Sequence, residues 1–470
     1  MAERNKNFDT FTKLMAEFTF DLTYEAVPSD IKAVARRYLA DAMACALGAY
    51  RTDAAQVVRK YATQKPSGAD ATILGTDRKV SAGLAALVNG TMVRYLDAND
   101  IFIMSRGGAS GHCSDGTAAL LALAEQYRSS GDELLTCLVA SYELQCALAS
   151  TFRFRTHGLH ALTPVAWVLP IVAARLIGAT PAQAVHASGL AVATSSVLNT
   201  WLRPTHTIPM IKGVAVGLVL ERVIEAAELA TLGVTATDDA FEVAFSGLSS
   251  GATAGVDPVP IQKLGRHWNT SRNMIKVYPA QIYTQAAIEA ALGLYQRGVR
   301  TDRIGRLKLY GNRNTCAGVQ GSRQAFAPES REAADHSTPF VLAISLLRGR
   351  LTSREYENAP WETSEVKALM ERIELVNDSE WNRSLDTEGI LGVRLTAELT
   401  DGTEEEYSVR HPKGHPDAFL SDAELLEKMS WLLDGIAPAH TPERLLDLCR
   451  SLSTVDDVTQ LVDLCNVPAA

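Results

Sequence analysis

Two spacings of apolar side chains, in a fixed order along the chain, constrain the fold more than anything else in this sequence. Over the first 230 or so residues apolar positions recur every three to four residues, the period of a helix with one buried face. From Ser29 onward, Ile31, Val34, Ala35, Tyr38, Leu39, Ala42, Cys45 and Ala46 keep that spacing, with Ser29 as a cap and Gly48 as a stop. Further helices are predicted from Ser81 towards Tyr95, over 115–127, over 132–148 after a Ser-Ser-Gly break, behind Thr180-Pro181, and over 213–230. Small residues abound in them (MACALGA, LAVATSS), which suits close packing of many helices.

Near residue 270 the period changes. Segments 303–310, 370–376 and 391–399 alternate apolar with polar side chains, as half-buried strands do, and Asp401-Gly402 marks a hairpin turn into 405–410. A helical piece, 339–347, lies among them. After His411-Pro412 the helical pattern returns, opened by the capping box Ser421-Asp422-Ala423-Glu424 and again at Thr441-Pro442-Glu443. The expected fold is mainly α. A large all-α domain is built from both chain ends, 1–270 and 414–470, and an α+β lid, 271–413, is inserted between them.

A chain of 470 residues, 47% apolar and 21% charged, has enough material for a large core. Its formal charge of −9 argues against a nucleic-acid partner. It leaves room for a small anionic substrate, because a local cluster of Lys and Arg can dominate a pocket. The most apolar stretch, 161–174, stops at Arg175, short of the ~18 residues a membrane span needs. The N-terminal segment has no signal-peptide pattern, so a cytoplasmic location is expected. Seven cysteines, odd in number and never in CxxC spacing, predict reduced thiols and no zinc or iron–sulfur site.

Familiar catalytic motifs are absent or misleading. There is no GxxxxGK[ST] and no HExxH, and the GxSxG match at Gly247-Leu248-Ser249-Ser250-Gly251 lies in an Asp- and Gly-rich stretch rather than a strand–turn–helix. The ionisable residues say more. Asp97 and Asp100 follow a predicted helix in LDAND, His112 sits in a glycine-rich loop, and His160 lies in RFRTHGLH near Arg153 and Arg155. Lys212 interrupts the apolar run IPMIKGVAVGL, where an uncompensated ammonium is costly. Lys276 lies close to Arg272, and Asp335-His336-Ser337 opens an apolar segment with Asp335 as a candidate cap. Local sequence leaves each a structural alternative. Asp97 fits a helix-end hydrogen bonder, His112 a surface turn, His160 a satisfied core imidazole, and the two lysines structural pairs.

Taken together, several long segments resemble the 2-methylcitrate dehydratase (MmgE/PrpD) family. They include LADAMACALGAY, ATILGTDRKVSAGLAALVNGTMVRYLDAND, GHCSDG, IKVYPAQIYTQAAIEAALGLY, ADHSTPFVLAISLLRGRLT and DGTEEEYSVRHPKGHP. The resemblance implies a homodimer of two-domain subunits, a site between helical body and lid, and no required cofactor or metal. By resemblance to the related cis-aconitate decarboxylases, Asp97, His112, His160, Lys212 and Lys276 are the expected catalytic set. Arg272, Asp100, Asp335 and His336 are expected to help bind a small polycarboxylate. Two departures matter. The family's His-Pro-Ser-Asp is His112-Cys113-Ser114-Asp115 here, and VQGSRQAF lacks the lid tyrosine of the decarboxylases. Dehydration of a citrate-like hydroxy-acid by general acid–base catalysis is therefore the first expectation. Decarboxylation, epimerisation of an amino-polycarboxylate and non-catalytic polycarboxylate binding follow it.

Overall fold

The computed structural model describes residues 10–104, 108, 110–248 and 256–466. It is a mainly α fold, with twenty α-helices and only small sheets among the described residues. The predicted helices appear as Ser29–Gly48, Ala82–Tyr95, Thr117–Gln126, Gly131–Thr151, Pro181–Thr194 and Ile211–Thr231. Ser29 turns out to be the first helical residue rather than the cap, since Pro28 occupies the N-cap without a side-chain bond. The capping box at Ser421 forms, and the cap at Thr180 turns out to be a capping box too, closed by Gln183. The described part of the GxSxG match, Gly247 and Leu248, ends the helix Ala240–Leu248, and the rest lies outside the described residues. A helix, not the strand that a nucleophile elbow needs, precedes it.

One apolar core gathers side chains from Met15 to Ile261, with Ile275, and from Leu420 to Cys465. Its central crossing sets Ala82–Tyr95 against Ile211–Thr231. There a Cβ on Gly217 would lie 2.1 Å from the Leu87 carbonyl, so only glycine lets the backbones approach so closely. Gly131–Thr151 is long and apolar enough to cross a membrane, but 94% of its most apolar window is buried in this core. All seven cysteines are free and buried.

A second core runs from Ala280 to Val409. Its four-stranded sheet is ordered Ile373–Asn377, Ile304–Gly311, Val393–Leu399, Glu404–Val409; the first pair is parallel and the others antiparallel. Leu309 lies opposite both Leu375 and Leu395, and Gln285–Gln296 packs on the sheet. Gly402, at φ +85°, closes the predicted hairpin. A short ladder, Ile101–Phe102 against Asn273–Met274, joins the first core to the chain entering the second.

Candidate active site

The helix Ala82–Tyr95 ends just before the chain reverses at Asp97, whose φ of +53° is one of the few left-handed non-glycine values among the described residues. The partner helix, Ile211–Thr231, begins at the same end of the crossing and delivers Lys212 in its first turn. The ladder at 273–274 brings Lys276 alongside. At the start of Thr338–Arg348, Ser337 is the N-cap, donating no cap role to Asp335, which instead turns inward. Four buried groups then form one ion network. Lys212 Nζ lies 2.7 and 2.9 Å from the Asp335 carboxylate and 3.0 Å from Asp97, and Lys276 Nζ bonds the other Asp97 oxygen. Burial alone would raise both carboxyls. Burial is the largest single effect, but Lys212 and Lys276 together at Asp97, and Lys212 with His336 at Asp335, outweigh it, so both sit below the usual carboxylate range. Burial lowers Lys276 to about 8 despite Asp97.

Three imidazoles line a small cavity in front of this network, with Asp97, Arg94, Asp115, Arg155 and Gln281. Their Nδ1 contacts fix the tautomers. His112 Nδ1 donates to the Asp100 carbonyl at 2.6 Å; a carbonyl only accepts, so the proton sits on Nδ1 and Nε2 keeps its lone pair. His336 Nδ1 donates to the Asp335 carboxylate at 2.6 Å, with the same consequence. At His160 the Leu162 N–H donates to Nδ1 at 3.1 Å, which places the proton on Nε2. Burial depresses all three; Arg94 and Lys276 add to it at His112, Arg155 and Arg94 at His160, and Lys212 at His336. The cavity thus holds two acceptor nitrogens and one donor, all neutral when empty. A base and a hydrogen-bond donor facing one small space can move a proton on a bound molecule.

Family models for the MmgE/PrpD N-terminal and C-terminal domains match residues 13–257 and 278–454. The chain belongs to the MmgE/PrpD family. It is 25% identical to the 2-methylcitrate dehydratase of Escherichia coli (strain K12) over 411 residues, 83% of each chain. It is 25% identical to the mitochondrial 2-methylcitrate dehydratase of Yarrowia lipolytica, over 97% of this chain and 90% of that one. With the cis-aconitate decarboxylase-like protein oryM of Aspergillus oryzae it shares 23% identity over 96% of each chain.

Within this MmgE/PrpD chain, Asp97, His112, His160 and His336 share the cavity wall, and Lys212, Lys276 and Asp335 stand behind it. The other two expected residues are placed elsewhere. The Asp100 carboxylate is consumed by Ser114 (N–H at 3.0 Å, hydroxyl at 2.6 Å) and the Tyr142 hydroxyl at 2.6 Å, so it holds the loop carrying His112. Arg272 Nε donates to the Ile103 carbonyl at 3.2 Å and is not in the cavity wall. Sequence reasoning passed over Arg94 and Asp115, although an arginine inside an apolar helix end is the same signal that singled out Lys212.

Two groups of histidine and carboxylate could hold a cation among the described residues. In Asp97–Asp335–His336 the ammonium groups of Lys212 and Lys276 already occupy the carboxylates, so the donor set does not suit a metal. His411–His415–Asp417 lies outside the cavity wall. A larger cleft of about 570 Å³, lined by Arg51, Tyr95, Arg331, Arg354 and Tyr356, contains no histidine. The chemistry converges on the smaller space.

Proposed function

We propose that this chain is a lyase that dehydrates a small hydroxy-tricarboxylate of the citrate or 2-methylcitrate kind by general acid–base catalysis, with no metal or cofactor. The observation that carries the reading is the set of three imidazoles with opposed tautomers around one cavity, backed by the Asp97–Lys212–Asp335–Lys276 network. The names of the bacterial and yeast relatives support the substrate class.

In this mechanism neutral His112 takes the proton from the carbon beside a carboxylate at Nε2, the C=C bond forms, and the C–O bond breaks. The hydroxide leaves as water with a proton that His336 Nε2, bare in the empty site, takes up from solvent as the polyanion binds. Asp335, hydrogen-bonded to Nδ1, suits His336 to carry that proton, and a bound polyanion raises the affinity of this imidazole for it. His160 Nε2–H holds the substrate's hydroxyl or carboxylate. Lys276 and Lys212 keep Asp97 and Asp335 charged and placed. Each proton transfer is worth about 10²–10⁴-fold.

The proposal includes a lid formed by 271–413 over a helical body formed by 1–270 and 414–470, a homodimeric assembly and a cytoplasmic location. The second reading, a cis-aconitate-type decarboxylase, is supported by the name of the Aspergillus relative. Epimerisation of an amino-polycarboxylate is a third use of the same acid–base pair. Di- and tricarboxylates incubated with the protein in deuterated buffer and followed by NMR separate them. Vinyl signals from hydroxy-acids support dehydration, carbon dioxide release marks decarboxylation, and deuterium uptake with inversion marks epimerisation. No turnover of any polycarboxylate refutes the reading.

A further inference from the structure

The cations expected to grip a polycarboxylate are engaged elsewhere. Lys212 and Lys276 are bound to Asp97 and Asp335, and Arg272 is turned to the Ile103 carbonyl. The cavity still has a guanidinium in its wall. Arg94, in the last turn of Ala82–Tyr95, has a side chain only 8% exposed, yet its Nε and Nη1 have no hydrogen-bond partner. Its nearest carboxylate, Asp115 Oδ2, is 3.6 Å from Nη1, too long for a hydrogen bond, and Asp115 Oδ1 accepts from Asn99. A buried guanidinium with idle donors is costly to keep, and its full set of bonds is expected to be completed by something that enters the site.

We propose that Arg94 is the carboxylate-binding subsite of this cavity, its planar fork receiving one carboxylate of the substrate, while Arg155 at the cavity's exposed edge faces a second. The proposal rests on the polycarboxylate reading above and deepens it by assigning the recognition element. The position fits. Arg94 shares the cavity wall with His112, His160 and His336, so a carboxylate on its fork puts the adjacent carbon among the imidazoles. Its charge is also felt across the site. It lowers Asp97 and adds to burial in holding down His112, His160 and Lys276. A carboxylate arriving on Arg94 neutralises that charge and makes His112 a stronger base at the moment it is needed.

The test uses tricarballylate, a tricarboxylate with no hydroxyl to eliminate, titrated calorimetrically into the full chain, with acetate as the monovalent comparison. Wild type is expected to bind it, Arg94→Gln to weaken binding by about 10–100-fold, as loss of a charged hydrogen-bonding partner does, and Arg155→Gln by only about threefold, since exposed charges contribute little. A wild type that binds and an R94Q that binds equally overturns the Arg94 assignment and leaves the acid–base reading standing. A wild type that binds no polycarboxylate overturns both. Because R94Q removes the cation beside Asp115, its fold is checked by circular dichroism. Should it not fold, Arg94→Lys decides: it keeps the charge and loses the fork, so weaker binding supports the subsite and unchanged binding overturns it.

Discussion

Removing Lys212 is the most informative perturbation of the ion network. The ammonium lies 2.7–3.0 Å from oxygens of two buried carboxylates. Unit charges about 3 Å apart attract by roughly 5 kcal/mol at an effective dielectric near 20, and burying the ammonium takes back much of that. Deleting one partner of such a group leaves uncompensated charge and costs about 3–5 kcal/mol. Lys212→Met should therefore lose about that much stability at pH 8, measured by urea unfolding. The pH dependence gives a sharper check. In the wild type both carboxyls lie below their usual range, so their contribution is present above the unfolded value near 4 and lost only as pH falls through the folded one. Without Lys212, burial is expected to lift the Asp335 carboxyl above its unfolded value, against the remaining pull of His336 and of Arg331 at 3.2 Å. A group so shifted favours the fold at low pH and loses that contribution as pH rises through it, so the deficit should shrink from pH 8 to pH 5. Adding Asp335→Asn removes the charge left exposed to repulsion, and the double variant should recover at least about 1 kcal/mol over additivity. A deficit under about 1 kcal/mol, as for an exposed pair, or one that does not change with pH, would refute the reasoning.

Other consequences are more direct. His112→Ala should lower kcat about 10²–10⁴-fold while tricarballylate still binds, and equal loss of binding would remove its role as base. The acid limb of the wild-type kcat/KM profile should fall below pH 6.5, because burial, then Arg94 and Lys276, keep His112 neutral; a limb at or above 6.5 contradicts that state. His160→Gln, which keeps an N–H donor, should retain more activity than His160→Ala, and the reverse order would make His160 an acceptor. Lys428, fully buried, lies 2.5 Å from Asp41 and donates to the Ala98 carbonyl at 2.7 Å, so Lys428→Met should cost about 3–5 kcal/mol and also lower activity through the Asp97 loop.

The helices were legible because a 3.6-residue period over a long stretch has few alternatives, and the hairpin because Asp401-Gly402 is specific turn chemistry. Contacts distant in sequence were not. Nothing local announces that Ile304–Gly311 pairs in parallel with Ile373–Asn377, or that Ile101–Phe102 meets Asn273–Met274 across 170 residues of chain. The same limit governs the site. Lys212 stands out as a charge in an apolar run, but nothing local pairs it with Asp335, a candidate cap and substrate-binding residue by sequence, where Ser337 is the cap. Side-chain direction separated Arg272 from Arg94: the residue nearer Lys276 in sequence points to a backbone carbonyl, and the one near Asp97 lines the cavity. The period of a sequence gives the faces of its elements, but only packing decides which charge is left without a partner.

The dimensions of the cavity bear on how the site works. Its free space is about 30 Å³, room for a water or two and not for a tricarboxylate. Its walls come from both cores: Arg94, Asp97, His112 and His160 from segments packed in the first, His336 and Gln281 from the chain of the second. On the proposed reading, a tricarboxylate enters by separation of the two, which parts Lys212 from Asp335. Such a separation is less costly than the 2.7 Å contact suggests, because both groups regain water, and a buried ion pair gains little over two hydrated ions. The network is thus poorly suited to holding the molecule shut and well suited to specifying how it shuts. In the closed arrangement Asp335 meets Lys212 and, through the Nδ1 bond to the same carboxylate, holds His336 at the space His112 faces. An apolar contact of equal area would close the site as firmly but would not fix which nitrogen carries the proton.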